Sequence, residues 1–91
     1  MKKAAKIILK GSVKNIFFRN FIKDHADSLG LKGFVRNLED ASVEIFVEGD
    51  IESVDEMFER CRAGNKHTQI RNAVMNETSF QDFKEFKILN I

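Results

Sequence analysis

Gly11-Ser12-Val13-Lys14-Asn15-Ile16-Phe17-Phe18-Arg19 lies where a strand gives way to a helix. The residues before it, Lys6-Ile7-Ile8-Leu9-Lys10, are apolar and β-branched, as a strand requires. The residues after it place Phe18, Phe21, Ile22, His25 and Leu29 on one helical face. A tight turn feeding a helix start exposes backbone N–H groups that have no intrahelical partner, and the helix dipole adds positive potential there. Such a site accepts anions. Arg19, in the first helical turn, adds a planar and permanently charged guanidinium that matches two phosphate oxygens. The local chemistry is that of a phosphate cradle made of main chain plus one arginine.

Working outward, the first strand is expected over residues 4–13 and the first helix over 18–29. Gly30 falls where a left-handed cap would close that helix, and Gly33 follows soon after. A short second strand is expected over 34–38, a turn over 39–42, and the cleanest strand of the chain over 42–48. There Val43, Ile45 and Val47 alternate with Glu44, Phe46 and Glu48, predicting one buried face and one wetter face. These two strands should pair as a hairpin. Asp50 is placed to cap a second helix whose apolar stripe is Ile51, Val54, Met57, Phe58 and Cys61, and Gly64 ends it. A loop at 65–68 precedes a fourth strand at 69–75. Residues 76–82 are polar and unpatterned, and 85–91 alternate as a short final strand. The order predicts an α+β, ferredoxin-like βαββαβ sandwich: a four-stranded antiparallel sheet plus a short C-terminal strand, with two helices on one face.

The 91 residues, 43% of them hydrophobic, suit one domain spanning 1–91. Nine Phe with no Trp or Tyr predict a core built on phenylalanine. The net charge of +1 gives no global argument for nucleic acid or an anionic membrane as partner. The lysine-containing start lacks the continuous apolar run of a signal peptide. No segment approaches the roughly 20 apolar residues that span a bilayer. One cysteine, Cys61, excludes an internal disulfide and fits a reducing compartment. A cytoplasmic protein is the expectation.

Two motifs make the chain resemble the acylphosphatase family. That family carries Gly-x-Val-Gln-Gly-Val-x-Phe-Arg between its first strand and first helix, matched here by Gly11, Val13, Phe18 and Arg19, with Ile16 in place of Val. Its second mark, Gly-Trp-Val-basic-Asn, is Gly33-Phe34-Val35-Arg36-Asn37 here, and Asn37 follows Arg19 by 18 positions. The family's Gln is Lys14 and its following Gly is Asn15. If that Gly serves a positive-φ turn, Asn is the replacement that tolerates left-handed geometry best.

The resemblance implies hydrolysis of the carboxyl-phosphate bond of small acyl phosphates to carboxylate and orthophosphate. In that picture the backbone amides of Lys14, Asn15, Ile16, Phe17 and Phe18 hold the phosphate, Arg19 neutralises its charge, and Asn37 positions the attacking water. It calls for no metal and no cofactor. Its partners are an acyl phosphate substrate and inorganic phosphate as product, with no nucleic acid and no membrane, and the chain is expected to be a monomer. Lys14 and Asn15 motivate one alternative, a phosphate-binding module of weak or no activity. The sheet face without helices offers another, a base-stacking RNA platform with Phe34 or Phe46 as stackers, but the basic-aromatic signature of such modules is missing. His25 and His67 read as packing or solvent-exposed residues, and Cys61 as a small buried hydrophobe. Glu44 and Glu48 could mimic a catalytic pair, yet read better as residues that keep an exposed sheet face soluble.

Overall fold

A computed structural model describes residues 1–13 and 15–89. The chain runs β1 (Lys2–Ser12), α1 (Ile16–Ser28), β2 (Lys32–Asn37), β3 (Val43–Asp50), α2 (Ile51–Ala63), β4 (Gln69–Thr78) and β5 (Phe86–Leu89). The βαββαβ order and the helix placement agree with the expected sandwich. The sheet differs in one respect: it has five strands in the order β4-β1-β3-β2-β5. β5 lies parallel to β2, whereas the other pairings are antiparallel. A hairpin return would have made β5 antiparallel to β4; instead residues 79–85 carry the chain from one sheet edge to the other. The expected final strand reaches past Leu89 into residues that lie outside those described.

Alternation fills the core. Ala5, Ile7 and Leu9 of β1 join Val43, Ile45 and Val47 of β3, Val35 of β2 and Phe86 of β5 beneath the helices. From above, α1 contributes Phe18, Ile22 and Ala26, and α2 contributes Val54, Met57 and Cys61. Each large side chain buried here adds about 1.5–3 kcal/mol of transfer free energy. α1 lies over β2 and β5, and α2 over β1, β3 and β4. α1 closes as expected: Gly30 has φ +70°, its N–H donates to the Asp27 carbonyl, and the Leu31 N–H reaches the Ala26 carbonyl at 2.9 Å. α2 starts after Asp50, but that carboxylate makes no cap hydrogen bond and sits 3.4 Å from Lys2 Nζ instead.

The face without helices departs most from expectation. Glu44 and Glu48 are each only 6% exposed, so they do not serve as solubilising surface carboxylates. Glu44 takes a 2.6 Å hydrogen bond from Arg36 Nε. Glu48 accepts the N–H groups of Gln81 and Phe83 at 2.9 and 2.5 Å. Those bonds draw residues 79–85 across the sheet, and Phe83 packs its ring against Phe34 and Phe46. Phe46, a stacker in the RNA reading, is therefore 1% exposed. Among the described residues no helix is long and apolar enough to cross a membrane.

Candidate active site

The end of β1 is bent by Gly11. Its pairing with β4 shifts register between Lys10 and Gly11, and Gly11 has φ +142°. A Cβ there would lie 2.0 Å from the Gln69 carbonyl oxygen, so a larger residue would force β4 away. Val13 then anchors the turn, fully buried in the core.

Asn15 caps the helix. Its φ of −149° is extended backbone, so the condition of a positive-φ turn is not met at this position. The physical reason is local: Asn15 stays extended because its side chain performs the cap. Oδ1 accepts the Phe18 N–H at 2.8 Å, and the Asn15 N–H donates to the Val13 carbonyl at 3.1 Å. Two of the five amides proposed as phosphate donors, Asn15 and Phe18, are thus already engaged. The amides of Ile16 and Phe17 make no hydrogen bond to a described residue and stand at the positive end of the helix dipole. No acidic side chain occupies the first turn of α1 to oppose an anion. Lys14, the fifth proposed donor, lies outside the described residues.

Strand register brings Asn37 to the same edge. Leu9 of β1 pairs Val43 of β3, and Val43 pairs Asn37 of β2, so the three form one row across the sheet. β1 and β2 therefore end at one edge, two strand spacings or roughly 10 Å apart. Asn37 shares its face with Val35 and Gly33 by the two-residue period, and Val35 belongs to the core under the helices. α1 begins at this edge and passes over β2. Arg19, in its first turn, is half-buried with Nε shielded from solvent. Arg19 and Asn37 thus come from elements meeting at one edge and on one face. Asn37 Oδ1 is buried and accepts no hydrogen bond among the described residues. The turn after Asn37 is held by Leu38 N–H on the Ser42 carbonyl at 2.8 Å and by Ser42 on the Asp40 carboxylate. Both bonds from Ser42 hold the Asp40 carboxyl below its usual pKa.

The loop before β4 borders the cradle, which the sequence did not announce. Asn15 Nδ2 donates to the His67 carbonyl at 3.3 Å. The His67 ring stacks on Phe17 with centroids 4.5 Å apart and planes 22° apart. From sequence His67 reads as a packing or solvent-exposed residue and Phe17 as an amide donor. Nothing local couples positions 50 residues apart, so only the fold could reveal this pair. His25 packs between the helices, its Nδ1 2.7 Å from Arg60 Nη1, and Cys61 is buried as expected. Two surface grooves lie at the far edge, one lined by Met1, Asp50 and Ile51, the other by Gly30, Lys32 and Phe80. A phosphate cradle needs little enclosure, because its contacts are main-chain amides.

An α+β sandwich with an amide-presenting helix start, an arginine in the first turn and a half-buried carboxamide whose Oδ1 is shielded from solvent, all at one end of the sheet, defines the class. The family described as Acylphosphatase matches residues 5–88, and the chain belongs to that family. An acylphosphatase of Alkalilimnicola ehrlichii is 30% identical over 98% of this chain and 100% of its own length. One from Methylococcus capsulatus is 35% identical over 96% of each chain. The crystal structure of acylphosphatase from Bacillus subtilis superposes with a TM-score of 0.92 at 28% identity, covering 99% of this chain and 100% of that one.

Proposed function

We propose that the chain hydrolyses small acyl phosphates at this edge, with residues 1–91 acting as one domain and a monomer in the cytoplasm. The observation that supports the reading is the buried Oδ1 of Asn37, which accepts no hydrogen bond among the described residues and lies on the edge and face where α1 begins. An acyl phosphate is a mixed anhydride with a good carboxylate leaving group, so positioning and charge stabilisation account for most of the catalysis. The amides of Ile16 and Phe17 bind phosphoryl oxygens, joined by that of Lys14 and by those of Asn15 and Phe18, which exchange their present partners for the anion. Arg19 neutralises the charge spread over those oxygens. Asn37 accepts a hydrogen bond from the attacking water through Oδ1 and holds that water in line.

Water attacks phosphorus, the bond from phosphorus to the acyl oxygen breaks, and its electron pair leaves with the carboxylate. Asn37 is no base near neutral pH, so the water's proton passes to a phosphoryl oxygen. No metal enters this scheme, and neither nucleic acid nor membrane is a partner.

The test is purified protein against benzoyl phosphate in excess chelator. Turnover should persist there, be inhibited by inorganic phosphate, and fall by roughly 100-fold or more in both Arg19→Ala and Asn37→Ala. Arg19→Lys should be nearly as damaging, because an ammonium cannot reproduce the two-pronged contact. Full turnover in either alanine variant removes the role assigned to that residue.

A further inference from the structure

We propose that the Phe17 side chain, seated on His67, receives the acyl group of the substrate and sets a preference for aromatic over small acyl phosphates. This rests on the active-site reading above and concerns the half of the substrate that the phosphate cradle leaves unassigned. Phe17 is 58% exposed and its neighbour Ile16 is 49% exposed, both in the first turn of α1. Of the four described cradle residues, they are the two whose amides make no hydrogen bond to another described residue. Backbone donor and exposed apolar side chain therefore belong to the same pair of residues.

The ring is also fixed rather than loose. It stacks on His67, whose N–H is held by Asn65 Oδ1 at 2.9 Å and whose carbonyl is held by Asn15 Nδ2. A platform fixed before binding loses little conformational freedom when a ligand ring covers it. In an acyl phosphate the acyl substituent begins only a few bonds from phosphorus, so an anion on the Ile16 and Phe17 amides brings that substituent beside these side chains. Aromatic pairs prefer offset or edge-to-face contact, and the exposed part of Phe17 can supply either.

Calorimetric titration with two non-hydrolysable isosteres tests this without relying on turnover. Phenacylphosphonate replaces benzoyl phosphate, and acetonylphosphonate replaces acetyl phosphate. The wild-type protein should bind the first roughly three- to tenfold more tightly than the second, the range that one aromatic contact supplies. Phe17→Ser should bring the ratio near unity, Phe17→Tyr should keep it, and His67→Ser should lower it by loosening the platform. An unchanged ratio in Phe17→Ser overturns the inference, as does the absence of any preference, or of any binding, in the wild type. Because the readout is affinity, a Phe17-dependent ratio upholds the inference even where the turnover assay rejects the hydrolytic reading.

Discussion

Asn15 Oδ1 accepts the Phe18 amide proton at 2.8 Å, so one donor of the proposed cradle is committed to the protein's own side chain. An incoming phosphate must either leave that amide alone or displace the carboxamide. A neutral hydrogen bond of this kind contributes about 0.5–1.5 kcal/mol net. Asn15→Gly should therefore tighten inhibition by inorganic phosphate roughly two- to tenfold, since the freed amide turns to the anion. The helix should lose only a few tenths of a kcal/mol, because Gly is itself a fair N-cap, whereas Asn15→Ala should cost about 1 kcal/mol. Inhibition constants and urea midpoints for both variants check the argument. Weaker phosphate binding in both would show that the carboxamide assists the anion instead of competing with it.

His25 links stability to pH. Burial lowers its pKa below the ordinary value, and the neighbouring Arg60 guanidinium lowers it further, against a smaller opposing effect from Asp24. The unfolded chain then binds this proton more readily than the folded one. The contribution is present above the unfolded pKa of about 6.5 and is lost as pH falls toward the lower folded value. Urea midpoints at about pH 7 and about pH 5.5 should differ more for wild type than for His25→Gln, which cannot titrate. Equal differences in the two proteins would remove His25 from the account.

Local chemistry was legible in the sequence. The strand over Lys6–Lys10, the cap at Gly30 and the core alternation of Val43, Ile45 and Val47 each follow from neighbours within a few positions. The shared edge of Arg19 and Asn37 was readable too, because the βαββαβ order makes β1 and β2 end together. What escaped was non-local. Glu48 reads as a surface carboxylate until Phe83, 35 positions later, is seen to donate to it, and residues 76–82 carry no period to announce that path. The conformation of Asn15 was open for a different reason. Asn serves both left-handed turns and helix caps, and only the backbone angle distinguishes the two.

The strap over the helix-free face should depend on Glu48. Its two oxygens accept from Gln81 and Phe83, and the strap's Phe83 covers Phe34 and Phe46. Hydrogen bonds to a charged acceptor contribute about 1.5–3 kcal/mol, so Glu48→Ala should cost at least about 2 kcal/mol in urea unfolding. Limited proteolysis should then cut within residues 79–85 before any other segment. Turnover should survive, because Glu48 lies near the end of β3 opposite Val43 and Asn37. A variant as stable and protease-resistant as wild type would mean that ring packing alone holds the strap.

Cys61 offers a direct reading of global opening. It is fully buried on the core side of α2, and burial pushes its thiol pKa up to about 12. The thiolate is the reactive form, so the native residue should resist alkylation at about pH 8, where a free thiol near 8.5 reacts readily. Labelling by iodoacetamide should follow the unfolded fraction, rising through the urea transition together with the helical circular dichroism signal. Cys61→Ser buries a hydroxyl where a small hydrophobe packed, at a cost of about 1–3 kcal/mol, whereas Cys61→Ala leaves only a small void. Serine should thus lower the midpoint further than alanine. Rapid labelling of the folded protein would place the thiol at the surface and contradict the packing of α2 on the sheet.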